Sequence, residues 1–410
     1  MALAKMKSIN PVLPTCLPST ASLLLATFLS GACASLFAQP ADHPAPQSAP
    51  SIVGDAPADA GPRATDLSGK LTHKAVRQAI RKVADWQLHR AEANFDQDWT
   101  FAALYAGFMA VPDVAGGKKY REAMLKMGKK FNWQPGPRVA HADDQAIGQT
   151  FLELYARNHD PAMLTPIRAR MDAVMQLADN PWPEDPVLAG KPKPLWWWCD
   201  ALFMAPPVLA DLSKITGDRK YLDFMDRQWT ITSALLYDPS AHLFFRDASY
   251  LDKHEANGKG LFWSRGNGWV MAGLARVLRE MPADYRSRQK YVVQFQQMAA
   301  EIGSLQGSDG LWRPGLLNAA AYQLPEVSGS AFYVYALAWG VNNGILDRAI
   351  YLPVVEKGWG GLVSHIYADG RLGSIQPIGG APAGYSASSS YVFGVGAFLL
   401  AGSEVDRLAR

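Results

Sequence analysis

From Leu71 to the C-terminus, apolar residues recur at helical spacing in a series of stretches separated by short runs of Gly, Pro, Asp and Asn. The spacing predicts twelve helices, over 72–91, 99–110, 117–130, 143–157, 161–177, 200–215, 219–235, 267–280, 285–303, 329–343, 350–366 and 390–404. Two kinds are present. Some are charged and amphipathic and begin after a Gly-Asp or Pro-Asp turn, as at Gly217-Asp218-Arg219-Lys220-Tyr221. Others, such as Gly268 to Leu278 and Ala331 to Val341, are apolar nearly all round and rich in Ala and Gly. A helix apolar on every side has to be enclosed, whereas an amphipathic one faces water along one side. Six enclosed helices ringed by six outer ones make an all-α (α/α)6 barrel of six helical hairpins, which is the fold class expected. An irregular bundle or a solenoid is the alternative, although no sequence-identical repeat supports a solenoid. Strand-like alternation is confined to Leu243-Phe244-Phe245 and Gly310-Leu311-Trp312, both expected as hairpins in the connections.

Ahead of the helices, Lys5 and Lys7 precede an apolar run from about Ala21 to Leu29 and then small residues in which Ala32-Cys33-Ala34 offers a cleavage site, with Ala38 a second. Residues 1–38 are therefore expected to be a signal peptide. The run is too short to span a membrane. Cys33 offers a lipoprotein alternative, but Ser30 stands where a lipobox prefers Leu, so soluble export to the periplasm or beyond is favoured. Residues 39–68 are Pro, Ala, Asp and Gly with few large apolar side chains, which predicts a disordered linker leading into a barrel domain over 69–410.

Composition adds mainly exclusions. The chain of 410 residues is 49% hydrophobic with a net charge of +3, falling to about +1 without Lys5 and Lys7. That is no electrostatic footprint for nucleic acid. Only Cys199 lies outside the leader, so neither a disulfide nor a cysteine metal cluster is expected in the mature protein. Nucleotide-binding loops, serine elbows and zinc-binding helices are missing too.

Candidate chemistry sits where the inner helices begin. Inner helices of an α/α barrel run in one direction, so the loops at their N-terminal ends surround a single pocket. Leu195-Trp196-Trp197-Trp198-Cys199-Asp200 is such an entry. Three consecutive tryptophans cannot all enter one core, and an acid behind them is desolvated, the setting in which a carboxyl stays protonated and acts as general acid. The bland reading of Asp200 is a helix cap. Cys199, between functional neighbours, reads as a packed residue and not as a nucleophile. At His141-Ala142-Asp143-Asp144-Gln145 a second acid is expected to face the same pocket, the bland reading being a solvated helix cap; spacing does not decide which of the pair it is, and Asp143 is preferred. At Phe262-Trp263-Ser264-Arg265-Gly266-Asn267-Gly268-Trp269, indole faces suit sugar rings and an arginine suits a carboxylate held by two parallel hydrogen bonds, which points to a uronic acid. The bland reading there is a tight turn. Trp99, ahead of another inner helix, fits the same layer. His242, Arg246, Asp247, His254 and Glu255 lie in the preceding connection and could contribute to the pocket, the bland reading being the ordinary polarity of a surface loop; their spacing is not a metal motif.

These stretches, together with Tyr391-Val392-Phe393-Gly394-Val395-Gly396-Ala397-Phe398-Leu399-Leu400-Ala401-Gly402-Ser403-Glu404, resemble the unsaturated rhamnogalacturonyl hydrolases of glycoside hydrolase family 105. The likeness runs from about Leu71 to the end of the chain. It implies an (α/α)6 barrel that removes the 4,5-unsaturated uronic acid which lyases leave at the non-reducing end of oligosaccharides, by hydration of the C4=C5 bond and without cofactor or metal. The family's general acid falls on Asp200, its second acid in Asp143-Asp144, and its Trp-x-Arg-x-x-x-Trp element on Trp263, Arg265 and Trp269. Trp198, His141, Asp144 and Trp99 complete the expected substrate contacts. Some members carry a histidine before the Trp-x-Arg element; His242 and Arg246 are the nearest counterparts here, and neither is a clean match. The expected partner is an unsaturated oligosaccharide, rhamnogalacturonan-derived or ending in unsaturated glucuronate from another glycan, and a monomer is expected. A non-catalytic sugar-binding barrel and a sugar epimerase are the other readings, the latter wanting more histidines at helix mouths than His141.

Overall fold

A computed structural model describes residues 51–177 and 194–409. The leader, its cleavage sites and Cys33 lie outside the described residues. The helices are α1 (His73–Ala91), α2 (Trp99–Ala110), α3 (Gly117–Lys130), α4 (Ala142–Gln145), α5 (Gly148–Asn158), α6 (Pro161–Met175), α7 (Ala201–Met204), α8 (Pro206–Thr216), α9 (Lys220–Leu236), α10 (Ser264–Glu280), α11 (Arg288–Ser304), α12 (Val327–Asn342), α13 (Arg348–Ser364) and α14 (Val392–Leu408). Among the described residues fourteen stand where twelve were expected, because two of the twelve are broken. Pro206 and Pro207 have no backbone N–H to continue the helix begun at Ala201, and the 143–157 segment divides at Ala146-Ile147.

Boundaries follow local chemistry. Thr72 caps α1 by accepting from the Ala75 N–H, Asp98 caps α2 from Thr100, and Asp160 caps α6 just ahead of Pro161. Gly217, with φ of +71°, ends α8 in the left-handed region that glycine adopts without steric cost.

Helices α2, α5, α8, α10, α12 and α14 pack in sequence around a ring that closes where α14 meets α2. Against them lie α3 on α2, α6 on α5, α9 on α8, α11 on α10, α13 on α12 and α1 on α14. This is the (α/α)6 barrel. Burial separates the layers as expected: fifteen residues of α10, from Ser264 to Leu278, are buried, but only five of α11 are. Close approach needs glycine at the α2–α14 crossing, where a Cβ on Gly107 would lie 2.7 Å from the Gly396 Cα. The other end of the barrel has short turns, whereas the loops leading into the inner helices are long and carry the aromatic and acidic clusters. No described helix is long and apolar enough to cross a membrane.

Two expectations about irregular segments change. Leu243–Phe244 (β3) does pair with Tyr237–Asp238 (β2) in a hairpin, but Gly310-Leu311-Trp312 forms no strand and instead leaves a tight turn over residues 307–310, with Gly310 N–H on the Gly307 carbonyl and the Leu311 carbonyl accepting from Gly307 N–H, and Trp312 is buried. More substantially, residues 51–68, placed by composition in a disordered linker, run along the barrel. Gly54–Asp55 (β1) pairs antiparallel with Ser390–Tyr391 (β4), Asp55 forms ion pairs with Arg371 and Arg90, and Arg63 lies 3.9 Å from the Tyr367 ring centre. The segment is held by backbone pairing and charge, and a rule that looks for apolar side chains does not register either.

Candidate active site

The loop before α7 fastens itself before it presents anything. Trp196 is fully buried, and its carbonyl accepts from the Thr232 hydroxyl at 2.7 Å. Cys199 N–H donates to the Arg246 carbonyl at 2.8 Å and Trp198 bridges to Asp247, so the Trp198–Asp200 and Arg246–Asp247 segments are laced together. Trp197 is left half-buried with the Arg246 guanidinium 5.6 Å from its ring centre. Trp198 is 3% exposed and its ring centre lies 4.8 Å from that of His141, which ties this loop to the one carrying α4.

Asp200 ends that loop. Its side chain is 12% exposed, and burial raises its carboxyl against the lowering influence of Arg246 and Arg265. Asp143 is the acid that shares its field: burial, and then the charge of Asp200, pushes Asp143 up to about 7. Its Oδ2 is 3.5 Å from His141 Nδ1, and burial followed by the nearby Arg138 charge lowers that imidazole to about 4, so it is neutral at pH 7. Asp144 is turned away. Its carboxylate accepts from Arg138 N at 2.6 Å and from the Arg138 guanidinium at 2.5 and 3.0 Å, which closes the 136–144 loop. The expected substrate role of Asp144 is corrected to a structural one, and the choice within the pair falls on Asp143.

Cys199 is fully buried. Its Sγ packs 3.1 Å from the position of a Cβ on Gly266, and burial lifts the thiol well above its ordinary range, which suits a packed residue.

The Trp263–Trp269 element departs most from expectation. Instead of a turn, it is the first part of α10, which begins at Ser264. Arg265 is fully buried, stacked 4.3 Å from the Trp263 ring centre and 4.8 Å from that of Phe393, and its two terminal nitrogens donate to the carbonyls of Gln376 and Pro377, each at 2.7 Å. The donors expected to hold a substrate carboxylate are therefore committed to the backbone of the 376–377 segment. Trp263 donates to the Gln376 side chain at 2.9 Å, and Trp269 packs among Phe332, Phe203 and Trp99. Both indoles belong to the wall of the site and present no free face to a sugar. Trp99 is half-buried and stacked on Phe393.

Three residues outside the expected set of site residues complete the arrangement, and of these only Glu326 has no place in the sequence reading. Glu326, fully buried, caps α12 through Ser328 and Gly329, accepts from Gln376 N–H at 3.1 Å and lies 3.8 Å from Arg265. An acid directly before an all-apolar helix was the available signal. Asn267 exchanges two hydrogen bonds with the Phe244 backbone, which fixes the connection leading to Arg246. Arg246 itself keeps 24% of its side chain exposed beside Asp200, with its Nε 3.6 Å from Asp200 Oδ1 and its Nη1 donating to Asp247 at 2.7 Å. In the sequence it is one loop arginine among several polar neighbours.

The arrangement can deliver a proton from a dry carboxyl while a second acid and an arginine stand alongside. The family described as Glycosyl Hydrolase Family 88 matches residues 71–409. A protein of Formosa agariphila named unsaturated 3S-rhamnoglycuronyl hydrolase is 43% identical over 82% of this chain and 92% of its own. One of the same name from Alteromonas sp. is 32% identical over 84% and 89%. Among solved structures, a glycosyl hydrolase family 88 protein from Bacteroides vulgatus superposes with a TM-score of 0.74 at 31% identity, covering 82% of this chain and 99% of that one. The unsaturated uronyl hydrolase type in both relatives' names is the one the family 105 resemblance implied. With that match running nearly from the first helix to the last residue but one, this chain belongs to Glycosyl Hydrolase Family 88.

Proposed function

We propose that this chain is a glycosidase that removes a 4,5-unsaturated uronic acid from the non-reducing end of an oligosaccharide by hydrating its C4=C5 bond. The observation that carries the mechanism is the pairing of two desolvated carboxyls, Asp200 and Asp143, at the mouth of the barrel. Burial favours the protonated form of Asp200, and its proton is delivered to C4 of the enol ether. The positive charge that develops is shared by C5 and the ring oxygen, and a carboxylate stabilises it. Water, deprotonated by Asp143, adds at C5. The resulting hemiketal opens to a C5 ketone and a C1 hemiacetal, which collapses to an aldehyde and the free aglycone, so one water is consumed and no bond to the enzyme forms.

The two relatives' names direct the substrate reading to an unsaturated uronyl group carried on rhamnose. Once C4 is unsaturated, galacturonate and glucuronate give the same ring, so the glycan of origin is recognised through the aglycone. Rhamnogalacturonan fragments and other rhamnose-containing anionic glycans are the two sources to compare. Export is part of the reading, supported by Lys5, Lys7 and the apolar run from about Ala21, and N-terminal sequencing of the secreted protein tests it.

Purified protein is expected to abolish the ultraviolet absorbance of the enol ether in lyase-generated oligosaccharides ending in unsaturated uronyl-rhamnose. Unchanged absorbance on every unsaturated uronide offered would falsify the proposal.

The paired acids also set a pH dependence. A carboxyl raised by burial binds its proton up to a higher pH than a free one, so Asp143 becomes protonated as pH falls through about 7. Protonating Asp200 removes part of the repulsion on Asp143, which places that limb at or below about 7. Because turnover needs Asp200 protonated and Asp143 ionised, kcat/KM is expected to rise with pH to a maximum and then fall as Asp200 loses its proton. Asp143→Asn should remove the acid limb; a limb that survives in this variant assigns it to another group.

A further inference from the structure

Hydration of the double bond by Asp200 and Asp143 does not by itself account for recognition of the carboxylate that makes the sugar a uronic acid. We propose that Arg246, framed by Tyr250 and Gly380, is the carboxylate-recognition subsite and the residue by which this enzyme selects acids over neutral unsaturated sugars. The inference rests on the proposed reaction.

Three observations carry it. First, the arginine of the Trp263–Trp269 element is out of reach: Arg265 has no exposed surface and its terminal nitrogens donate to Gln376 and Pro377 carbonyls. Second, the carboxylate is attached to C5, next to the carbon that Asp200 must protonate, so its partner has to stand beside Asp200. Arg246 does, with Nε 3.6 Å from Asp200 Oδ1. Third, its donors are divided in a way that leaves one for a ligand. Nε is covered and faces Asp200, Nη1 donates to Asp247 at 2.7 Å, and Nη2 makes no hydrogen bond among the described residues. The side chain is held for this task. Asp247 is itself fixed by Ser249 N–H and Oγ at 2.9 and 2.6 Å, and the Arg246 carbonyl accepts from Cys199.

Gly380 marks the space. A Cβ there would lie 3.5 Å from both Cζ and Nε of Arg246 and 3.6 Å from the Tyr250 hydroxyl, so the guanidinium, whose Nε has no hydrogen-bond partner among the described residues, and the phenol converge on a point from which a side chain is missing. A carboxylate oxygen placed there has a charged donor and a neutral one in reach. Its charge also offsets the cation that favours the ionised form of Asp200, so substrate binding and protonation of the general acid support each other.

The test compares an unsaturated uronyl disaccharide with its uronamide, for the wild type, Arg246→Gln and Gly380→Ala, by loss of enol ether absorbance. Intrinsic reactivity differs between acid and amide but cancels when their ratio is compared between enzymes. Losing a charge-assisted hydrogen bond gives the wild type a preference for the acid of about tenfold to a hundredfold beyond that of Arg246→Gln, in which the preference should vanish. Gly380→Ala meets its neighbours at ordinary contact distance and so should fold normally, while its kcat/KM for the acid should drop about tenfold or more with that for the amide less affected. If Arg246→Gln keeps the full preference for the acid, the carboxylate is held elsewhere and the assignment is wrong. A wild type inert on every unsaturated uronide overturns the parent reaction, and this assignment with it.

Discussion

Asp200→Asn is expected to lower kcat on an unsaturated uronyl-rhamnose oligosaccharide by roughly 10³-fold or more, within the range general acid catalysis supplies. Asparagine reproduces the shape of the side chain but holds no proton acidic enough for the enol ether carbon. The surroundings should tolerate it. The loop is anchored by Trp196 and by the Cys199–Arg246 backbone bond, neither of which uses the Asp200 carboxyl, and the contact from Cys199 Sγ to Asp200 Oδ1, at 3.5 Å, can be kept by the amide oxygen of asparagine. Relative to the wild type, folding should even improve as pH rises through the folded-state titration of Asp200. A carboxyl whose proton affinity is raised in the folded state contributes stability that is lost as pH rises through the folded value, and the amide has no such loss. Saturating-substrate rates and melting curves on the same preparations separate the two effects. A variant within tenfold of wild-type kcat removes Asp200 from the general acid role.

The second large effect is structural. Glu326→Ala is expected to destabilise the protein by about 3–5 kcal/mol, the usual consequence of taking one partner from a buried ion pair. Glu326 stands at a junction with no exposed surface. One oxygen accepts from Ser328 N–H and Oγ and from Gln376 N–H, the other from Gly329 N–H at 2.6 Å, and Arg265 is 3.8 Å away. Removing the carboxylate leaves the Arg265 charge in a dry site and uncaps α12. The 376–377 segment, which Arg265 and Trp263 hold through Gln376 and Pro377, should loosen too, and with it the nearby Gly380. Thermal unfolding should show a fall in Tm of roughly 10 °C, taking a few degrees per kcal/mol for a domain of this size. A loss below about 1 kcal/mol would mean that the pair contributes no net stability.

Much of the molecule is legible in residue spacing. Helical periodicity and capping are local, so α2, α3 and α9 fall within a residue or so of their expected bounds. The alternation of enclosed and amphipathic helices carries the layer assignment, because a helix apolar all round has only one kind of place to go. Asp200 is legible for the same reason: an acid following three tryptophans is desolvated wherever the chain runs. Breaks are harder to read. Two prolines inside an apolar stretch either kink a helix or divide it, and the surrounding packing decides which.

The site shows where spacing stops. Asp143 and Asp144 are neighbours in sequence, and nothing local distinguishes them; Arg138 does, by closing a loop on one of them. Arg265 looks like the substrate's arginine because it sits between tryptophans, yet its partners lie 111 and 112 residues later, in a segment that only the closed barrel brings to it. Arg246 looks like an ordinary loop residue until the Trp198–Asp247 pairing sets it beside Asp200. By itself, then, this sequence determined the helices, their layering and the desolvation of Asp200, since these depend on polarity within a turn or two of chain. Which arginine stands beside Asp200, which acid of the pair shares its field, and that residues 51–68 brace the barrel were decided only by the tertiary structure, because hydrogen bonds and ion pairs between distant segments set the direction in which a side chain points.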